Sequence, residues 1–423
     1  MSRTFFSLSI ACIYLTVNSC DKNIIHHTEP DPEIPVVAPD PEPSEPAKPI
    51  VLTTKQAEKL SGDNAFSWNL FKEVATSDDK NNAFISPLSL TMALGMLYNG
   101  ASPDARSQMA TALGMGDLSD TEINEYYQTL MQALLEVDPL TAMTIANSIW
   151  CRDGYPVKQT FFEINRLYYN AEVQTIDFNL PSTIDAINNW CADKTNDKIT
   201  EIINGIPAEA VMYLINAVYF KSKWVYPFNK EETKEDAFTM EDGTLKSVAM
   251  MNQIAYFPYY ADDMLQCIEM PYGNEAFSMT VLLPAKGKTV DDLVIYLDGD
   301  TWSDVLSNLQ DRKVAVKFPR FKQEYELFLN APVSNLGMKL IFQPGGNLNG
   351  IADDARLRVS SIKQKTFVEV NEEGTEAAAV TVIEIDVTSY HPPVLFEANR
   401  PFIYLIREKS TGAILFIGRM DEP

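Results

Sequence analysis

The sequence predicts one large α+β domain behind a short exported leader and tether. Three observations lead there. Beyond Pro49, helix-period segments alternate irregularly with strand-like runs, with no 20–50-residue repeat and no linker-grade break. Apolar residues make up 46% of 423, enough to bury a real core. The first fifty residues differ in kind from the rest.

Residues 1–19 read as a lipoprotein signal peptide. A basic Arg3 precedes an apolar run from Phe5 to Val17, too short for a comfortable membrane span, and Ser19-Cys20 offers a small residue before a cysteine that would be acylated. Residues 20–50 then form a Pro- and acid-rich tether that cannot bury enough apolar surface to fold, and proline keeps it extended. Residues 51–423 form the domain. Residues 54–75 show a helical apolar face. Ser86-Pro87 opens a second helix with an N-cap serine and a first-turn proline. That helix is apolar nearly all round, predicts burial on most sides, and stops at Asn99-Gly100. Further helices are expected over 103–113, 121–136, 160–169 and 182–195. Strand-like runs follow at 144–150, 211–221, 265–270, 277–283, 315–318 and 366–370, and a hairpin at 403–407 and 414–418 turns through the polar 408–412.

Charge and histidine content exclude much chemistry. The net charge is −24, and about −20 of it belongs to the domain, so a basic nucleic-acid groove is excluded. Only three histidines occur, His26, His27 and His391; residues 51–390 contain none. A Ser-His-Asp or Cys-His hydrolase would have to recruit His391, and a multi-histidine zinc site has nothing to use. Gly287-Lys288-Thr289 ends like a phosphate loop, but position 282 is Leu where that motif needs glycine. No metal and no cofactor is expected. Cys12 leaves with the signal, and Cys20 would carry the lipid at the new N-terminus. Cys151, Cys191 and Cys267 remain and read as buried free thiols.

The informative stretch is EVNEEGTEAAAVTVIEIDVTSYHPP, 369–393. From Thr375 the acids fall at 376, 384 and 386. The opposite parity holds Thr375, Ala377, Ala379, Thr381, Ile383 and Ile385. Laid in a sheet, this segment puts its charges on one face and small or apolar groups on the other. Yet Ala377-Ala378-Ala379 is a poor strand former, and Gly374 supplies a pivot before it. Two readings fit: an amphipathic core strand with an alanine-rich start, or a segment shaped to slide between packed neighbours.

EVNEEGTEAAAVTVIEI resembles the hinge of the serpins. Residues 82–115, the run INAVYFKSKWVYPF, and FEANRPFIYLI followed by GAILFIGRM resemble further family motifs, in family order. The resemblance implies the serpin fold, α+β with about nine helices, three β-sheets and an exposed reactive loop. It also implies suicide inhibition of serine proteases, and possibly cysteine proteases. The cut loop inserts into the central sheet and traps the protease as an acyl-enzyme. Glu372, Gly374, Thr375, Glu376, Ala377, Ala378, Ala379 and Val380 match an inhibitory hinge. Loop length implies a scissile bond between Thr388 and Ser389, with cuts after Val387, Ser389 or Tyr390 as alternatives, which favours elastase-like or subtilisin-like targets. No Arg or Lys lies between Lys365 and Arg400, which disfavours a trypsin-like one. Trp224, Arg320 and Glu372 match the region where the sheet opens. Ser86, Ser89 and Asn216 match a polar gate, and Gln364 stands where the family usually has a titrating histidine. A monomer at the cell envelope is expected, lipid-anchored on an outer-membrane, periplasmic or surface-exposed face, with no nucleic-acid partner. The alternatives are a non-inhibitory binding serpin or, from a different class, a substrate-binding envelope lipoprotein.

Overall fold

Capping chemistry sets where the helices begin. The first helix, α1 (Thr54–Ala75), starts behind Thr53, whose hydroxyl accepts from the Gln56 N–H while the Gln56 amide accepts from the Thr53 N–H. After β1 (Ala83–Ile85), α2 (Pro87–Tyr98) opens with the Ser86 cap and a first-turn proline, and every residue but Ala93 is buried. The structure, a computed structural model, describes residues 45–76, 82–375 and 392–423, all within one compact unit spanning Val36–Pro423.

Ser102 and Ser119 cap α3 (Pro103–Ala112) and α4 (Asp120–Glu136). There follow β2 (Ala142–Arg152), α5 (Gln159–Tyr169), β3 (Glu172–Ile176), α6 (Ser182–Lys194) and β4 (Met212–Lys223). A long hairpin pairs β5 (Lys234–Thr239) with β6 (Leu245–Ala261), and leads to β7 (Leu265–Tyr272) and β8 (Phe277–Pro284). Two short helices, α7 (Val290–Tyr296) and α8 (Gly299–Ser307), precede β9 (Gln310–Pro319) and β10 (Phe321–Phe328). The chain ends with α9 (Asn330–Asn335), β11 (Lys363–Asn371), β12 (Gly374–Thr375), β13 (Val394–Glu397), β14 (Phe402–Glu408) and β15 (Ile414–Met420).

The described residues thus hold nine α-helices. Two hydrogen-bonded sheets carry the strands. One runs β10-β11-β12-β4-β2-β3; the other runs β1-β15-β14-β8-β7-β6-β9-β13, with β5 added on β6. The expected three sheets become two ladders because β6 is continuous: it pairs β9 through residues 250–259 and β7 through 259–261. The main core lies between the sheets and under α1, α2 and α4. A smaller core seals α6 onto the opposite face of β2 and β4 through Trp150, Ile187, Cys191, Ile215 and Ala217. Both faces of the six-stranded sheet are therefore covered at its centre.

The sequence anticipates α1 to α6 to within about two residues at each end, and β14 and β15 to within the same margin. It does not anticipate the β5–β6 hairpin, β10 or β13. The three cysteines are free and buried, and burial pushes the Cys151 and Cys191 thiols up to about 12. Within the stretch assigned to the tether, the Ala47 N–H donates to the Asn274 carbonyl at 3.2 Å and the Ile50 N–H to Ser410 Oγ at 2.9 Å. The domain's contacts thus begin a few residues before position 51.

Candidate functional site

The hinge enters the six-stranded sheet through a sharp bend. Leaving β11, the chain turns at Glu372–Glu373 and re-enters between β11 and β4. Asn371 pairs Gly374 and Val370 pairs Thr375 on one side; Lys223 and Ser222 pair the same two residues on the other. β12 is antiparallel to both neighbours, so β11 and β4 run parallel to each other. Among the described residues no ladder joins them directly.

Gly374 is required here. Its φ is +143, and a Cβ would stand 2.2 Å from the Ser222 carbonyl oxygen. Thr375, 4% exposed, shares a hydrogen bond with the Tyr272 hydroxyl at 2.9 Å. Burial holds the Tyr272 phenol well above its ordinary range, so it stays protonated. Tyr272 stacks on Trp224 at 4.3 Å, and the Trp224 indole N–H donates to the Asn371 carbonyl at 2.9 Å. Trp224 therefore packs the floor of the hinge and fixes the last residue of β11.

Both bend glutamates are buried. The Glu372 carboxylate accepts from Thr233 Oγ1 at 2.8 Å and lies 3.6 Å from the Arg320 guanidinium. The expected Glu372–Arg320 pair is present, but Thr233 is the closer partner, and Arg320 is half exposed. Glu373 pairs with the exposed Lys230 ammonium, while its Oε2 has no hydrogen-bond partner among the described residues. The Glu372 and Glu373 carbonyls accept from the Phe228 and Trp224 N–H groups at 2.8 and 2.9 Å. These contacts bind the bend to the segment just after β4, so the two neighbours of the slot are latched together at this end.

Below Thr375 lies a small cavity of about 20 Å³ between Phe367 and Val368 on one side and Val218, Tyr219 and Phe220 on the other. That is room for about one water. Thr195, Lys198 and Ile199, just past α6, also line it.

Farther down stands the polar cluster. Gln364 grips the backbone of the Ser86 cap with both ends of its amide: Oε1 accepts from the Ser86 N–H at 3.0 Å and Nε2 donates to the Ser86 carbonyl at 2.8 Å. Ser86 Oγ donates to the Leu415 carbonyl at 2.8 Å and accepts from the Ser89 N–H. Ser89 Oγ reaches the Asn216 carbonyl at 3.4 Å, and the Asn216 side chain donates to Asn147 Oδ1 at 2.7 Å. Asn216 Oδ1 has no partner among the described residues. Ser86, Ser89, Gln364 and Asn216 are thus brought together, with Gln364 and Asn216 on the strands flanking the slot. No histidine lies among the described residues.

Cys20, Glu376, Ala377, Ala378, Ala379, Val380, Val387, Thr388, Ser389 and Tyr390 lie outside the described residues. Sequence reasoning missed Lys230, Thr233, Tyr272, Asn147 and Glu373. Glu373 had a signal, since it stands beside Glu372 in the motif itself; the others lie about a hundred residues or more from the hinge in sequence.

The arrangement is a sheet in which the two residues of β12 stand between parallel neighbours, latched above and with a polar cluster below. The family model for serpins (serine protease inhibitor) matches residues 61–423, and the chain belongs to that family. Its members are in general protease inhibitors rather than enzymes. Iripin-2 of Ixodes ricinus is 33% identical over 376 residues, covering 87% of this chain and 94% of that protein. An uncharacterized serpin-like protein of Thermococcus kodakarensis is 32% identical over 366 residues, covering 85% and 84%. The crystal structure of the thermophilic serpin tengpin in the native state superposes with a TM-score of 0.79 at 33% identity, covering 92% of this chain and all of that one. Human thyroxine-binding globulin complexed with thyroxine gives 0.80 at 26% identity, covering 88% of this chain and all of that one.

Proposed function

We propose that this serpin inhibits serine-type endopeptidases as a suicide substrate, by acyl-enzyme trapping and insertion of its cleaved loop between β11 and β4. The observation that carries the reading is the seating of Gly374 and Thr375 in register with both neighbours. Continuing that antiparallel register, Ala377 would fall between Val368 and Phe220, Ala379 between Thr366 and Val218, and Thr381 between Gln364 and Asn216. All three share the inward parity of Thr375. Methyl side chains suit the narrow apolar part of the slot. A threonine hydroxyl at the third position suits two amides, one of which has an unmatched oxygen. Each backbone hydrogen bond gained is worth about 1 kcal/mol net, and a dozen inserted residues make many. The starting state persists because a barrier holds it.

The Val387-Thr388 run favours an elastase-like or subtilisin-like target cut at Thr388–Ser389. The Ser19-Cys20 signal supports lipid attachment at Cys20 and display at the cell envelope. Incubation with pancreatic elastase, subtilisin and chymotrypsin tests the inhibitor reading: an SDS-resistant complex and a cleaved form of raised Tm are expected. Cleavage with neither complex nor inhibition refutes it. Mass spectrometry of the mature N-terminus tests the acyl group, which Cys20→Ala removes.

A further inference from the structure

Three asparagine–glycine pairs occur in the chain: Asn99-Gly100, Asn204-Gly205 and Asn349-Gly350. Such a pair carries a chemistry of its own that needs only water. The main-chain nitrogen of the glycine can attack the side-chain carbonyl carbon of the asparagine, and the missing Cβ leaves room for the ring to close. The fold decides whether this happens. The glycine N–H must not already be committed to an acceptor, and the asparagine amide must be free to swing onto it.

Two of the pairs are held. Asn99 is buried, exchanges side-chain hydrogen bonds with Asn124 and donates to Asn165 Oδ1 at 3.2 Å. The Gly100 N–H donates to the Leu97 carbonyl at 2.9 Å. The Gly350 N–H donates in turn to the Gly100 carbonyl at 3.0 Å, and the Lys158 ammonium holds the Asn349 carbonyl at 2.7 Å. Both glycine nitrogens are thus occupied.

The third pair is open. Asn204 and Gly205 are exposed, on the loop between α6 and β4, and neither has a hydrogen-bond partner among the described residues. Nothing lies within 4 Å of the place a Cβ on Gly205 would take. The loop is nevertheless fixed on both sides. Before the pair, Asn188 Oδ1 accepts from the Ile202 and Ile203 N–H groups at 2.9 and 3.0 Å, and its amide donates to the Ile203 carbonyl at 2.8 Å. After it, the Arg152 guanidinium donates to the Ala208 and Ala210 carbonyls at 2.9 and 2.7 Å. A free asparagine and a free glycine nitrogen therefore stand between pinned shoulders.

We propose that Asn204 is a site of spontaneous deamidation in the folded protein. The Gly205 nitrogen gives its proton to water and bonds to Asn204 Cγ, and the side-chain nitrogen leaves as ammonia. One water then opens the cyclic imide. Opening at Cγ gives aspartate; opening at the main-chain carbonyl gives isoaspartate, which lengthens the main chain by a methylene. In sum, one amide and one water become one carboxylate and one ammonium. The new charge joins a loop that already carries Glu201 and Glu209, so the chain ages toward a more acidic form. No residue of the hinge or of the slot between β4 and β11 takes part, so the inference stands apart from the inhibitory reading.

The test incubates the full chain for days at mildly alkaline pH, folded and in urea, and maps both samples by digestion and mass spectrometry. In the folded sample, aspartate and isoaspartate should accumulate at Asn204, with Asn99 and Asn349 slower by at least roughly tenfold. In urea all three should convert at similar rates, because the protection of the other two belongs to the fold. Gly205→Ala has open space for its methyl, so its Tm should match the parent's, while conversion at Asn204 should slow by at least roughly tenfold. Conversion of Asn99 or Asn349 as fast as Asn204 in the folded chain would overturn the proposal. So would an Asn204 that converts in urea but stays intact when folded, or a parent rate in Gly205→Ala.

Discussion

Replacing Thr375 by arginine puts a guanidinium where the structure has a hydroxyl 2.9 Å from Tyr272 and a residue only 4% exposed. Around it stand Tyr272, stacked on Trp224, and the ladder partners Val370 and Ser222, none of them a carboxylate. An uncompensated buried charge costs about 3–5 kcal/mol. The uncleaved protein has an escape, because withdrawing Gly374 and Thr375 gives up at most four ladder hydrogen bonds, about 4 kcal/mol at 1 kcal/mol each. The variant should therefore fold, with its hinge expelled. After cleavage there is no escape, since the same residue must pass through the same position. A rise of about 3 kcal/mol in the insertion barrier slows trapping by about 10²-fold. Hydrolysis of the acyl-enzyme then wins, and the inhibitor becomes a substrate. The assay is the stoichiometry of inhibition against elastase or subtilisin, with SDS gels to separate complex from cleaved chain. Thr375→Ser, which keeps the hydroxyl, should behave as the parent. Complex formation by Thr375→Arg at the parent's stoichiometry refutes the reasoning.

Gly374→Ala should also expel the hinge, because the added methyl meets the Ser222 carbonyl; hydrogen exchange at the Thr375 amide should accelerate, and unchanged protection would contradict the steric argument. Lys59→Met should cost about 3–5 kcal/mol in urea unfolding, since it strands the buried Asp63 carboxylate beside Tyr126 and Tyr127. Adding Asp63→Asn should recover much of that loss, and a loss below about 1 kcal/mol would mean that the pair is dispensable. Trapping by the parent, once the protease's own pH profile is divided out, should be flat between pH 5.5 and 7.5, because Gln364 does not titrate. Gln364→His should introduce a dependence, and an unchanged rate at both pH values would remove support for the gate. Glu122 is held down to about 2, chiefly by the Lys55 ammonium and then by the Ser119 N–H. A depressed folded value stabilises above the ordinary carboxylate range and loses that effect as pH falls from 4.5 toward 2. The Tm gap between the parent and Glu122→Gln should thus be full at pH 7 and close near pH 2; a gap that persists at pH 2 would assign it to packing.

Local chemistry was readable where one element carries its own reason. Ser86-Pro87 fixes the start of α2, and the all-apolar run after it fixes its burial. The unread strands lack such signals. β10, FKQEYELF, carries three charges and looks like loop, yet it pairs β11 along all eight residues. β6 is inward on neither parity consistently, because it serves three neighbours, β5, β9 and β7, along its 17 residues. The site divides in the same way. Gly374, Thr375, Glu372 and Gln364 could be named from the motif, whereas Lys230, Thr233 and Tyr272 could not, because nothing in their spacing ties them to residues 103 to 143 positions away.

By itself the sequence determined the composition of the segment around Gly374: a glycine, a threonine small and uncharged enough to enter a core, alanines on one parity, and no histidine from 51 to 390. Those are local properties, written in side-chain size and charge. Only the tertiary structure decided that Gly374 and Thr375 lie between β11 and β4, that Thr233 rather than Arg320 is the nearer partner of Glu372, and that Gln364 holds the Ser86 backbone. Strand pairing and buried polar contacts join residues more than a hundred positions apart. Such pairings follow from how the whole chain closes its sheets, and no window of the sequence contains them.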